Sequence, residues 1–182
     1  MLFFTSDQHH AHKNIVRLSG RPYADHDAMT RDLIARHNAR VASGDTVYHL
    51  GDFCFDARKI HALLGALNGT HRLVSGNHDE THPCHGKSES WARKYLGYGF
   101  ASVDTQVDLE IGGVRFRLCH LPATGDSHDE ARYPEHRPSL EGADLLLHGH
   151  VHGAWVRDGQ QINVGVDVRR FAPATLSELL AA

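Results

Sequence analysis

The sequence predicts one α/β domain that spans residues 1–182. In the first half, short apolar runs typical of strands alternate with amphipathic stretches typical of helices, which is the order of βαβ units. In the second half, strand-like runs flank Gly112-Gly113 and Asp158-Gly159, and such turns indicate antiparallel hairpins. At 182 residues and 41% hydrophobic composition, the chain is long and apolar enough for one core.

Three strands and two helices are predicted in the first half. The strands are residues 2–6, 46–50 and 71–74, which are short runs with many β-branched or aromatic residues. The helices are residues 27–41 and 57–67. In the helix at 27–41, five residues recur at helical spacing and form one face, which is expected to cover a sheet. They are Met29, Leu33, Ile34, His37 and Val41.

The second half adds further strands and a terminal helix at residues 175–181. The long polar stretch at residues 124–137 is predicted to be a surface loop. The alternation and the turn signals predict strands at residues 106–110, 114–119, 144–147, 154–157 and 161–164.

Composition excludes several classes of function. Nineteen Lys and Arg against 22 Asp and Glu give a net charge of −3, so no overall basic charge attracts nucleic acid or anionic membranes. No membrane span or secretory leader is recognised and the three cysteines form no CxxC pair, so a cytoplasmic location is expected. Histidine is in excess at 17 residues, which favours metal binding, proton transfer or both.

Candidate metal ligands follow five of the predicted strands. Because ligands bind beyond the carboxyl ends of strands in open α/β sheets, these positions are expected to meet at one rim. Gly51, Gly76 and Gly149 precede three of the groups and would let the backbone turn there. The five groups are Asp7 with His9; Asp52; Asn77, His78 and Asp79; His120; and His150 with His152.

In their order along the chain, these five motifs resemble those of the calcineurin-like metallophosphoesterase superfamily. Taken singly, each has an ordinary explanation, such as a helix N-cap, a turn or a core histidine. Arg21-Pro22 and residues 165–167 also resemble a small prokaryotic and phage branch of the superfamily. The resemblance implies two mixed β-sheets flanked by helices.

The resemblance also implies two metal sites that share one bridging aspartate, Asp52, which would be central to catalysis. His78 would face the substrate as a general acid or charge stabiliser, with Asn77 beside it, and Asp79 is a candidate for orienting it. The implied ligands are Asp7, His9, Asp52 and His152 for one ion, and Asp52, Asn77, His120 and His150 for the other.

Oxygen and imidazole ligands without a thiolate suit two divalent transition-metal ions, with Mn favoured and Fe, Ni, Co or Zn as alternatives. Two such ions bring +4 against −2 from Asp7 and Asp52, and the remaining positive charge suits an anionic phosphate ester. A water bridging ions ~3.5–4 Å apart would lose a proton near neutral pH and attack phosphorus as hydroxide.

Phosphodiesters, such as cyclic nucleotides or model aryl diesters, are the expected substrates by analogy with small members of the superfamily. A phosphomonoesterase of the same fold is the nearest alternative. A noncatalytic protein-binding scaffold and a histidine-rich metal buffer are the others. No membrane partner and no obligatory nucleic-acid partner are predicted.

Residues outside the five motifs have weaker predictions. His12 and Arg21 are expected to border the site and contact the substrate. A phosphate contact is one interpretation of three loop residues, against a solvated loop as the default: Arg132, Tyr133 and Arg137. The sequence leaves open whether His49 and His148 support metal ligands or are core polar groups. Surface, capping or loop positions are expected for His26, His37, His61, His71, His82, His85, His128 and His136.

Overall fold

The computed structural model describes residues 1–181, and in this part of the chain ten strands and five α-helices form. The strands are β1 Leu2–Thr5, β2 Thr46–His49, β3 Thr70–Val74, β4 Ser102–Asp104, β5 Gln106–Ile111, β6 Val114–Cys119, β7 Leu145–His148, β8 Arg157–Asp158, β9 Gln161–Asn163 and β10 Ala174–Thr175. The helices are α1 Ile15–Leu18, α2 His26–Asn38, α3 Ile60–Ala66, α4 Ser88–Tyr98 and α5 Leu176–Leu180.

Two mixed sheets of five strands each form the centre of the fold. The first has the order β10-β1-β2-β3-β4, in which β1 to β4 run parallel and β10 runs antiparallel to β1. The second has the order β5-β6-β7-β9-β8, in which β6, β7 and β9 run parallel between antiparallel edge strands. The predicted α/β class with two mixed sheets and flanking helices is confirmed.

The two sheets pack face to face because side chains alternate along each strand. Phe4 and Tyr48 of the first sheet join Phe116 and Leu118 of the second in one buried cluster. The hydrophobic effect, roughly 25 cal/mol for each Å² of apolar surface removed from water, holds this sandwich together. The strand ends beyond the cluster are thereby fixed relative to each other.

The outer faces of the two sheets are covered differently. Helices α3 and α4 pack on the first sheet through Leu64 and Tyr95, which join Leu73 of β3 in a second cluster. On the second sheet, Tyr133 and Leu140 from the segment between β6 and β7 pack on Leu146. The polar loop predicted at residues 124–137 is therefore fastened to the core on one side.

Several element predictions are incomplete. Helices α1 and α4 and strands β4 and β10 were not predicted, and the two strands are only three and two residues long. The strand predicted at residues 154–157 is wrong for most of its length, because β8 comprises only Arg157–Asp158. The Nδ2 atom of Asn163 donates to the carbonyl oxygens of His152 and Trp155, both at 2.8 Å, and holds this segment in a turn.

Histidines form a hydrogen-bonded chain under the helices of the first sheet. Gln8 Nε2 donates to His49 Nδ1 at 3.0 Å, so His49 Nε2 carries its proton and donates to His71 Nδ1 at 3.1 Å. His71 Nε2 in turn donates to the carbonyl oxygen of Leu67 at 3.4 Å. His49 is therefore a core polar group.

The surface positions expected for His37 and His71 are wrong, and His82 lies in a loop as expected but is buried there. His37 and His71 are both 4% exposed, and His82 is 5% exposed. Burial lowers the pKa of His71 to about 4 and lowers the pKa of His37 and of His49 below the ordinary value. These side chains are therefore neutral in the native protein, whereas in the unfolded chain they take up protons near pH 6.5.

The native state is expected to lose stability in mild acid for this reason. A lowered histidine pKa contributes stability that is complete above about pH 6.5 and is lost as the pH falls toward the native pKa. The loss amounts to about 1.4 kcal/mol per pH unit for each proton that only the unfolded chain binds. The slope of the free energy of unfolding against pH is measured by urea unfolding between pH 7 and 5 in the presence of a chelator.

His37→Gln is expected to flatten this slope by up to one proton, because burial lowers the pKa of His37 in the native state. The Gln side chain can still donate to the carbonyl oxygen of Asn68, which His37 Nε2 contacts at 2.8 Å, but it does not titrate. His61→Gln, at an exposed position of α3, is the matched control and should keep the wild-type slope. An unchanged slope in His37→Gln would contradict a neutral native His37.

Candidate active site

The loops that follow β1, β2, β3, β6 and β7 meet at one rim of the two sheets. Backbone hydrogen bonds join them, since Asp7 N–H donates to the carbonyl oxygen of Gly51 and Gly149 N–H donates to that of His120, both at 3.0 Å. The parallel directions of these strands bring their carboxyl ends to the same edge. The residues singled out in the sequence are therefore neighbours in space.

The candidate ligand atoms form two overlapping groups. Donor atoms of Asp7, His9 and His152 lie within 4.8 Å of one another, and so do donor atoms of Asp7, Asp52 and His120. The Oδ2 atom of Asp52 lies 3.6 Å from His9 Nε2 and 3.5 Å from His120 Nε2. Asp52 is therefore placed between the two histidines, where one carboxylate can serve both groups.

Asn77 extends the second group. Its Oδ1 atom lies 3.1 Å from His120 Nε2 and 2.9 Å from His150 Nδ1. The structure thus brings together all seven residues that the resemblance implies as ligands: Asp7, His9, Asp52, Asn77, His120, His150 and His152.

The donor set fits a pair of divalent metal ions. Both ring nitrogens of His9 are buried without a hydrogen-bond partner among the described residues, a state that is rare and costly for polar atoms. Asp7 and Asp52 are 0% and 2% exposed, and buried carboxylates need a compensating cation. Imidazole nitrogens and oxygens without a thiolate are the ligands of divalent transition metals.

Two of the histidines are oriented by partners on their far side. His120 Nδ1 donates to the carbonyl oxygen of Leu50 at 2.7 Å, and His152 Nδ1 lies 3.0 Å from the carboxylate of Asp167. Each contact keeps a proton on Nδ1 and leaves the Nε2 lone pair for a metal ion. The negative charge of the Asp167 carboxylate makes the hydrogen bond from His152 the stronger of the two.

The backbone is strained where the ligands sit. Nine non-glycine residues among residues 1–181 have a positive φ, and five of them are implied ligands. Such conformations cost of order 1–3 kcal/mol each and persist where the surrounding structure holds them. The five are Asp7, His9, Asp52, His150 and His152, with φ between 47° and 70°.

The glycines of the motifs allow neighbouring loops to pack closely, and a special backbone conformation matters at one of them. A Cβ atom on Gly149 would overlap the side chains of Ser6 and Asp7, and one on Gly76 would overlap Asp52. Among Gly51, Gly76 and Gly149, only Gly51 has a left-handed φ, at +90°. The turning role predicted for Gly76 and Gly149 is therefore wrong, and the packing of the loops requires both residues.

A cleft of about 560 Å³ opens beside the two donor groups. His78 lines the cleft and is exposed, with its ring centroid 5.0 Å from that of Phe55. His12 lines the same cleft, half-buried, and its ring lies 4.0 Å from Phe55. The side chain of His12 is thus placed where its predicted substrate contact is sterically open.

The two carboxylates at the centre have opposite pKa shifts. Burial raises the pKa of Asp7, and the nearby charge of Asp52 adds to the effect. Burial also acts to raise the pKa of Asp52, but attraction to His120 and His9 outweighs it and holds that pKa below its ordinary value. Positive charge brought between the two carboxylates would favour the ionised form of Asp7 as well as that of Asp52.

Arg21 does not have its predicted role in substrate binding. It is 4% exposed, and its Nε and Nη2 atoms donate to the carboxylate of Asp167 at 2.8 and 2.7 Å. Nη2 also donates to the carbonyl oxygen of Asp7 at 2.7 Å. The guanidinium is therefore occupied by the protein and ties the first ligand loop to Asp167.

Asp79 does not orient the His78 ring as predicted. Its carboxylate accepts hydrogen bonds from the backbone N–H groups of Asp52 and Gly76 at 2.8 Å and of Phe53 at 3.1 Å. Burial and the nearby charge of Asp52 raise the pKa of Asp79 to about 7. Asp79 instead supports the metal centre by holding the loop that carries Asp52.

Sequence reasoning missed two carboxylates that support the candidate ligands. Asp167 contacts His152 and Arg21, and the sequence signal for it was the short motif at residues 165–167 without an assigned role. Asp126 lies 3.3 Å from His150 Nε2. No sequence signal distinguishes Asp126 from the other acidic residues of its polar loop.

Comparison with known proteins identifies the family. A family model, the calcineurin-like phosphoesterase superfamily domain, matches residues 2–172. The chain belongs to the calcineurin-like phosphoesterase superfamily. Within it, the chain is 33% identical over 178 residues to the Gene 66 protein of Mycobacterium phage D29, covering 91% of this chain and 87% of the phage protein. It is also 28% identical to the uncharacterized protein MJ1445 of Methanocaldococcus jannaschii, covering 96% and 86% of the two chains.

A solved structure of this fold shows the same architecture. It is the protein of unknown function AQ665 from Aquifex aeolicus, which is 28% identical, with a TM-score of 0.78 and coverage of 100% of this chain and 98% of that one. Membership of the phosphoesterase superfamily implies a hydrolase that acts on phosphate esters with divalent metal ions. The predicted resemblance to a prokaryotic and phage branch is confirmed. None of the helices in residues 1–181 is long and apolar enough to cross a membrane.

Proposed function

We propose that this phosphoesterase hydrolyses phosphodiesters with two bound divalent transition-metal ions, with Mn as the favoured metal. The observation that carries the proposal is the pair of donor groups that meet at Asp52, beside a His9 ring whose nitrogens have no hydrogen-bond partner within residues 1–181. Asp7, His9, Asp52 and His152 would hold one ion, and Asp52, Asn77, His120 and His150 the other.

When bound, the ions would supply an activated water near neutral pH and would offset charge on the phosphoryl oxygens. The protein's own residues orient the reaction. His78 lines the cleft and is the group that donates a proton to the leaving oxygen. Its backbone N–H donates to Asp52 Oδ1 at 2.9 Å, which fixes the backbone of His78 next to the donor groups.

The shape of the cleft supports a diester. A diester carries an organic group on each side of phosphorus. The cleft has a volume of about 560 Å³, which gives room for both groups. Ile15 and Leu18 give it an apolar lining, and the ring of His12, which Phe55 supports at 4.0 Å, offers a face on which a nucleobase can stack. Nucleotide-like diesters are therefore the substrate class that this cleft suits best.

The experiment that tests the function uses protein stripped with a chelator and then reloaded with Mn, Ni, Co, Zn or Mg. The stripped protein is expected to be inactive, and the reloaded protein is expected to hydrolyse bis-p-nitrophenyl phosphate faster than p-nitrophenyl phosphate. Bound metal is measured on the same samples and should approach two ions per chain.

Each alternative function has its own result in this experiment. Faster hydrolysis of the monoester would identify a phosphomonoesterase. Two tightly bound ions without turnover of either ester would favour a noncatalytic scaffold. Several loosely bound ions without turnover would indicate a metal buffer.

A further inference from the structure

The loop at residues 124–137 is clamped by one buried carboxylate, that of Asp126, whose side chain is 1% exposed. Arg132 Nη2 donates to Asp126 Oδ1 at 2.8 Å and Arg137 Nη2 donates to Oδ2 at 2.7 Å. Arg137 also donates to the carbonyl oxygens of Pro122 and Gly125 at 3.1 and 2.6 Å. Arg137 is therefore a structural clamp, and Asp126 is held in place from two sides.

The clamp touches a candidate metal ligand at one atom. His150 Nε2 lies 3.3 Å from Asp126 Oδ2 and 3.0 Å from Arg132 Nη2, while Nδ1 on the other side of the ring lies 2.9 Å from Asn77 Oδ1. A guanidinium only donates and a carboxylate only accepts. One Nε2 atom of a neutral ring therefore cannot satisfy Arg132 and Asp126 at the same time.

The two contacts correspond to two tautomers of His150. With the proton on Nδ1, that atom donates to Asn77 Oδ1 and Nε2 accepts from Arg132. If instead Nδ1 is free to bind a metal ion beside Asn77 and His120, the proton sits on Nε2 and donates to Asp126. In this second state Arg132 has lost its acceptor on His150.

We propose that Arg132 is a substrate-binding residue whose guanidinium contacts His150 while Nε2 of that ring is unprotonated, and turns to the phosphate group when His150 binds a metal ion through Nδ1. The inference rests on the proposed function, because it assigns the phosphate at the same site. Asp126 acts as the positioning residue. It accepts a hydrogen bond from Nε2–H of His150 and keeps the guanidinium of Arg132 within reach of the cleft.

The surroundings of Arg132 suit this task. Its side chain is 37% exposed and lines the cleft together with Ser127 and His128. Arg137, by contrast, is 8% exposed and is occupied by the loop carbonyl oxygens. Asp126 holds Nε and one N–H of Nη2 of Arg132, at 3.2 and 2.8 Å. The edge formed by Nη1 and the other N–H of Nη2 can donate to two phosphate oxygens, and such charge-assisted bonds are stronger than those of a neutral donor.

The test measures the binding of inorganic phosphate to metal-loaded protein by isothermal titration calorimetry. Arg132→Gln is expected to weaken phosphate binding roughly 10- to 100-fold, as for the loss of a charge-assisted hydrogen bond, with bound metal unchanged. Glu130→Gln, at an exposed position of the same loop, is the matched control and should bind phosphate like the wild type. With a diester substrate, Arg132→Gln should raise KM more than it lowers kcat.

A second measurement addresses the contact between Arg132 and His150. Long-range ¹H–¹⁵N correlation NMR of the metal-free protein should show His150 protonated at Nδ1 in the wild type and at Nε2 in Arg132→Gln. Phosphate affinity equal to that of the wild type in Arg132→Gln would overturn the binding role. A wild-type His150 already protonated at Nε2 would overturn the contact between Arg132 and His150. Phosphate binding needs no turnover, so failure of the proposed function, seen as absent hydrolysis by the loaded wild type, is a separate result.

Discussion

Asp52→Asn is expected to lower the turnover of the metal-loaded protein by roughly a thousandfold or more and to reduce its bound metal below two ions per chain. The reason is the position of Asp52 between the two donor groups. Its Oδ2 atom lies 3.6 Å from His9 Nε2 and 3.5 Å from His120 Nε2, so one substitution weakens both proposed metal sites.

The substitution is well matched to the local structure. Asp52 has a left-handed φ of 56°, a conformation that Asn adopts more readily than most residues. The Asn Oδ1 atom can still accept the hydrogen bond from His78 N–H, which Asp52 accepts at 2.9 Å. The variant therefore removes the negative charge and one ligand oxygen and keeps the shape of the loop.

Metal content after gel filtration and the rate on bis-p-nitrophenyl phosphate are measured on the same preparation. Asp129→Asn makes the same chemical change at an exposed position of the loop at residues 124–137, and it should leave both quantities at the wild-type level. If Asp52→Asn retained two ions and most of the activity, the bridging role of Asp52 would have to be abandoned.

The sequence predicted the parts of the fold that depend on local signals. Strands such as β1, β2 and β6 are apolar runs with clear ends, and their approximate bounds were correct. Strand β10 was missed because its two residues are defined by pairing with β1, more than 160 residues earlier in the chain. Helix α4 was missed because only Tyr95 among its residues is fully buried, which leaves little periodic signal.

The same distinction applies to the site. The implied ligands follow strands, and the order of the strands along the chain made them recognisable before the structure was known. Arg21 was misassigned because its partner, Asp167, lies 146 residues away, and nothing local shows that the guanidinium is already paired. Asp126 was missed because its importance comes from burial against Arg137 and His150, and a polar loop sequence does not reveal burial.

With a diester that has an alkyl or nucleoside alkoxide as its leaving group, His78→Ala is expected to lower kcat roughly 100- to 10,000-fold while the protein keeps its full complement of metal. His78 lines the cleft and is exposed, and the ring itself is not a member of either donor group. Its ring lies edge-on to the ring of His9, with the centroids 5.7 Å apart, but its hydrogen bond to a proposed ligand comes from the backbone N–H, and that group remains in Ala. His61→Ala, at an exposed position of α3, is the matched control and should retain wild-type activity.

The dependence on the leaving group distinguishes proton donation from charge stabilisation. If His78 protonates the leaving oxygen, its removal should cost little with p-nitrophenolate, which leaves as a stable anion, and much more with an alkyl or nucleoside alkoxide. Burial lowers the pKa of His78 against the opposing attraction of Asp52, so the negative charge of a bound phosphate is needed to favour the protonated ring. The same loss with both leaving groups would assign His78 to stabilising charge on the phosphoryl group, and loss of metal from His78→Ala would contradict either role.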